Sequence, residues 1–88
     1  MMKWLYPEVI DNLKIQCNSF LNNEIEIEDI QSHIYLAEQQ IVAIDEQWLR
    51  TLLFNIENEI ELNLYTIDRS DLPQIVKPII EQLLEKIS

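Results

Sequence analysis

Eighty-eight residues with 48% hydrophobic content set the expectation of one domain around one core, and sixteen acids against six bases leave a net charge of −10. Such a balance repels nucleic acid and anionic membranes and favours basic partners. The chain has no glycine and one cysteine, which excludes Gly-rich phosphate loops and dinucleotide fingerprints as well as internal disulfides and multi-cysteine zinc sites.

The first predicted helix runs from about Leu5 to Asn22. Pro7 falls near its first turn, where a missing N–H costs nothing, and Glu8 and Asp11 suit the positive end of the dipole. Its apolar stripe is Ile10, Leu13, Cys17, Phe20 and Leu21, so Cys17 reads as a small buried hydrophobe and not as a nucleophile. In the absence of glycine, the left-handed residue that ends a helix falls to asparagines such as Asn22 and Asn23.

Ile25 and Ile27 alternate with acids, as in a strand. The longer repeat Ile27, Ile30, Ile34, Ala37 and Ile41 steps by three and four, which predicts a second helix over 27–42. A third helix opens after Asp45, expected as its N-cap, and carries Leu49, Leu52, Leu53, Ile56, Ile60 and Leu64 on one face. The turn Asp68-Arg69-Ser70-Asp71 leads into a fourth, with Pro73 near its start and Ile75, Val76, Ile79, Ile80, Leu83, Leu84 and Ile87 inward. Pro78 either kinks that helix or marks its first turn. Short connections make an antiparallel four-helix bundle the expected all-α fold. The rival is an α+β fold in which residues 24–28 pair as a short strand with residues 60–66.

The charge is concentrated. Residues 24–61 hold ten acids opposed only by Arg50, a net of −9, while the other fifty residues hold six acids and five bases, a net of −1. A solvated face that maintains solubility and a docking surface both account for this. Catalysis finds no constellation. His33, the only histidine, lies about 80° from the centre of the second helix's apolar stripe and has no second ligand or nucleophile to work with. The run Glu57, Glu59, Glu61 lacks the turn spacing of a calcium loop. No metal, cofactor or small-molecule substrate is expected, and neither a membrane-spanning run nor a signal-peptide pattern stands out, so a cytoplasmic protein is the expectation.

At about 100° per residue, Arg50, Phe54, Glu57, Glu61 and Tyr65 share the side of the third helix away from its core stripe. Two aromatic rings among acids on a wet face suit a protein contact, since rings supply rigid hot-spot area and carboxylates pair with Lys and Arg. The alternative buries Phe54 and Tyr65 beneath the first helix or Trp4. Tyr35, about 120° from the second helix's core centre and near Glu28 and Glu38, is a second candidate for the same surface. Trp48, about 105° off the third helix's core, serves either role.

Acyl carrier proteins share the size and acidity, yet their modifiable serine has no counterpart here, because Ser70 lies late and precedes Asp71. In size, acidity, helical order and the stretch from Trp48-Leu49-Arg50 through Phe54-Asn55-Ile56-Glu57-Asn58-Glu59-Ile60-Glu61-Leu62 to Tyr65-Thr66-Ile67-Asp68, the chain resembles the small acidic helical immunity proteins of colicin-type and contact-dependent-inhibition nuclease toxins. The Tyr-Tyr pair of the nuclease-colicin subgroup is absent. The resemblance implies a non-enzymatic inhibitor that occludes a basic toxin nuclease domain, an RNase acting on tRNA, with Glu57, Glu61 and Asp68 meeting basic residues and Phe54 and Tyr65 as anchors. Tyr35 and Glu38 complete the expected contact set. A phage-type nucleic-acid mimic and a helical homodimer or adaptor are the other readings.

Overall fold

A computed structural model describes residues 5–88. Four helices make up the fold: α1 (Pro7–Leu21), α2 (Ile27–Gln40), α3 (Gln47–Thr66) and α4 (Leu72–Ile87). Each packs against its neighbours in the order α1, α2, α3, α4 and back to α1, a four-helix ring closed around one core.

Pro7 is the first residue of α1, with Glu8 beside it in the first turn. The far end of α1 terminates on asparagine. Asn23 takes φ 63°, the Glu24 N–H donates to the Ser19 carbonyl at 2.8 Å, and the Asn23 N–H donates to the Phe20 carbonyl at 3.0 Å. This is the Schellman arrangement, with Asn in the position usually given to Gly. Helix α2 opens with the Glu26 N–H donating to Asp29 Oδ2 at 2.9 Å, which satisfies a main-chain group at the helix start.

The rival α+β pairing is overturned. Residues 60–66 finish α3, and no strand occurs among the described residues. A strand would put Ile60, Leu62 and Leu64 on one face; instead Ile60 is buried while Leu62 is exposed, the pattern of a helix whose stripe continues from Leu49, Leu53 and Ile56. Two boundaries also differ from expectation. Helix α2 stops at Gln40 because Ile41 turns extended, its side chain still in the core, and Val42 faces solvent. A 3-10 turn, Ile44–Glu46, then precedes α3, so Asp45 is not the N-cap and makes no capping bond.

The core contains Ile10, Leu13, Cys17 and Phe20 of α1, Ile27, Ile30, Ile34 and Ala37 of α2, Leu49, Leu53, Ile56 and Ile60 of α3, and Leu72, Val76, Ile80, Leu83 and Ile87 of α4. Each fully buried Ile or Leu contributes about 1.5–3 kcal/mol relative to exposure. Leu21, Leu52, Leu64, Ile79 and Leu84 pack at the margin of this core, while Ile75, expected inside, is exposed. Pro73 sits at the start of α4, whereas Pro78 lies inside the helix, which continues through it. No helix among the described residues is long and apolar enough to cross a membrane.

Candidate functional site

Helices α2 and α3 meet in a regular register. Gln31 Nε2 donates to Glu61 Oε2, Tyr35 and Glu57 line one depression, and Glu38 and Phe54 line the next. Each step of three or four residues forward on α2 is thus matched by an equal step back on α3, as antiparallel helices require. The result is a groove whose walls carry carboxylates with an aromatic ring at each of two levels.

The two depressions have volumes of about 380 and 240 Å³. Gln31, Ser32, Tyr35, Leu36 and Glu57 line the larger, and Glu38, Gln47, Arg50, Thr51 and Phe54 the smaller. Phe54 is 49% exposed and Tyr35 48%. The alternative in which Phe54 and Tyr65 are sealed inside the bundle is thereby removed, since Tyr65 is 81% exposed. Trp4 lies outside the described residues.

Glu38 departs most from its sequence reading. Expected at a wet surface, it is only 7% exposed. Burial first, then the neighbouring acid Glu38, then the charge of Glu61, hold Glu57 above the usual carboxylate range.

Arg50 does not neutralise this pair. Its Nε donates to the main-chain carbonyl of Glu38 at 3.3 Å, capping the last turn of α2, which has no basic residue of its own. Among the described residues the ion pairs are both made by Arg69, with Glu26 and Glu28. Arg69 grips Glu28 through both guanidinium NH₂ groups, one bond being 2.9 Å, and this fork lowers the Glu28 pKa. Glu28 is therefore engaged with the turn before α4 and does not join Tyr35 in a docking set.

Of the seven expected contact residues, the groove brings together Tyr35, Glu38, Phe54 and Glu57, with Glu61 at its end through Gln31. Tyr65 and Asp68 are not among its lining residues. Tyr65 lies one turn beyond Glu61 on α3, and Asp68 borders a separate depression with Thr66, Ile67, Asp71, Gln74 and Ile75. Sequence reasoning missed the roles of Gln31 and Glu46. Glu46 is buried, and its Oε2 accepts the Leu5 N–H at 3.0 Å. Neither was visible from periodicity, since both roles depend on a partner thirty or more residues away.

The chain matches no family model, no curated protein and no solved structure. No group of three or more His, Cys, Asp or Glu among the described residues is arranged to hold a metal ion. Burial pushes the Cys17 thiol up to about 12, which leaves it a packing group and not a nucleophile at neutral pH.

Proposed function

We propose that this protein is a stoichiometric inhibitor of the immunity type, binding a basic nuclease toxin through the α2–α3 groove and covering its active site. One observation carries the reading: Glu38, Glu57 and Glu61 lie along one groove with no ion-pair partner among the described residues, beside the half-exposed rings of Tyr35 and Phe54. Uncompensated carboxylates attract Lys and Arg and exclude phosphate, while rigid rings provide the desolvated contact area on which tight complexes depend. A nuclease that binds RNA presents a cationic active site of complementary charge. The net charge of −10 favours rapid association with such a surface. No step of chemistry by this chain is required.

Co-expression with the product of the neighbouring gene tests the proposal. Protection from toxicity and recovery of a one-to-one complex are expected. Neither protection nor a complex rejects the inhibitor; a complex with a DNA-binding protein redirects the reading to a nucleic-acid mimic, and mass doubling of the chain alone to a homodimer.

A further inference from the structure

The α2–α3 groove has a spacing and an apolar centre as well as a charge. Three levels follow one another along it: Gln31 with Glu61, Tyr35 with Glu57, and Glu38 with Phe54. Four residues on each helix separate the first two levels and three separate the next two, about 6 Å and about 4.5 Å at ~1.5 Å per residue. The middle level is the most apolar. Leu36 lines the larger depression beside the half-exposed ring of Tyr35, and Phe54 stands half-exposed at the next level. Leu36 is 55% exposed and takes no part in the core cluster, so packing of the bundle does not account for it.

We propose that the groove receives a basic amphipathic α-helix of the partner, which sets one apolar side chain against Tyr35 and Leu36 and a Lys or Arg at each neighbouring level. This deepens the inhibitor reading by naming the element that enters the groove, and rests on that reading only for whose helix it is. Spacing selects a helix. Side chains at i, i+4 and i+7 share one helix face and rise by the same ~6 and ~4.5 Å as the three levels. An extended segment repeats on one face every ~6.7 Å, so it is about 3 Å out of step by the third level. It also needs an open main-chain edge to pair with, and both walls of this groove are helices.

Charge selects the sign of that helix. Ten acids against Arg50 give residues 24–61 a net of −9, and Arg50 is engaged with the Glu38 main chain. A second copy of this chain would bring its own excess of carboxylates to the groove and be repelled. The two kinds of contact do different work. Ion pairs at the open ends of the groove are reached by water and add little each, so they steer and orient the incoming helix. The apolar side chain at the centre, shielded by its charged neighbours, supplies most of the affinity. Loss of Leu36 is therefore more damaging to binding than loss of any one carboxylate.

The test uses the whole chain and a blocked alanine-based peptide of about sixteen residues, long enough to populate a helix, with Lys, Leu and Lys at i, i+4 and i+7. Titration followed by NMR is expected to shift the ring signals of Tyr35 and Phe54 and the methyl signals of Leu36. Moving the Leu to i+2, the opposite side of the peptide helix, weakens binding about 5-fold or more. A proline at i+5, which breaks the helix and leaves the three side chains in place, does the same. A peptide with Glu in place of both Lys does not bind. L36A weakens binding about 5-fold and E61Q about 2-fold. Both positions are exposed, so both variants fold. E59Q leaves binding unchanged, because Glu59 is exposed and leaves α3 about 200° from Glu57. Equal binding of the proline peptide, unchanged binding in L36A, or the absence of shifts at Tyr35, Leu36 and Phe54 overturns the helix site. Groove signals that move with protein concentration alone put a second copy there and overturn it as well. The toxin is absent from this assay, so failure here alongside full protection in cells leaves the inhibitor reading standing. Peptide binding without protection keeps the helix site and rejects a toxin as its owner.

Discussion

The guanidinium of Arg50 donates through Nε to the main-chain carbonyl of Glu38 at 3.3 Å, so the sole Lys or Arg between residues 24 and 61 caps a helix instead of closing on a carboxylate. Arg50→Ala removes that cap and leaves an unpaired carbonyl at the end of α2. A loss of about 1 kcal/mol in urea-unfolding stability is expected, and Arg50→Lys, which lacks the Nε donor, recovers little of it.

Glu57 carries a pKa raised by burial and by its acidic neighbours. A carboxyl raised in the folded state binds its proton more tightly there than in the unfolded chain. Its contribution is favourable below the unfolded pKa and is lost as pH rises through the folded one. Glu57→Gln is therefore expected to raise the melting temperature at about pH 7, by less than ~1 kcal/mol in stability, with the gain shrinking to nothing at about pH 3. Thermal melts of the two proteins across pH measure it; a constant difference contradicts the assignment.

The Glu28–Arg69 fork has the opposite sign. Arg69 depresses the Glu28 pKa, so the stability it contributes is present above the unfolded carboxylate pKa and disappears as pH falls through the folded one. Arg69→Ala should destabilise at neutral pH, match the parent at about pH 2, and lose most of its effect in about 1 M salt because the pair is exposed.

Cys17 is fully buried, with its thiol pushed up to about 12. Native protein should resist a thiol reagent at about pH 8 and react at once in denaturant. Cys17→Ser, which places a hydroxyl among apolar side chains, should cost about 1–3 kcal/mol.

Phe54 and Tyr35 are half-exposed, so truncation to Ala should leave stability within about 0.5 kcal/mol. If the groove grips a basic toxin domain, each truncation should weaken the complex by about 2 kcal/mol, roughly thirtyfold in Kd, chiefly through faster dissociation. Glu57→Gln and Glu61→Gln should slow association instead, in a manner that fades with added salt. Surface-binding kinetics separate the two classes.

Much of the fold is legible in the pattern of apolar residues. The Ile27, Ile30, Ile34, Ala37 and Ile41 stripe is buried as spacing demands, and Asn23 adopts the left-handed conformation that a chain without glycine must assign to another residue. The failures cluster at helix ends and across helix pairs. Val42 has the apolar character to extend α2 but faces water, because the chain must leave the helix there to reach α3. Glu38, acidic and off the core stripe, is buried by the neighbouring helix.

Periodicity along one helix determines which residues face the core, since side-chain direction follows from about 100° of rotation per residue. It determined the four-helix composition, the buried thiol and the acid-rich middle of this chain. It is silent on how far one helix slides along another. The α2–α3 register brings Gln31 to Glu61, Tyr35 to Glu57 and Glu38 to Phe54. That register, like the reach of Arg69 to Glu28 across forty-one residues, was decided only by packing the whole core at once, because the energies that choose it are shared among all the side chains in contact.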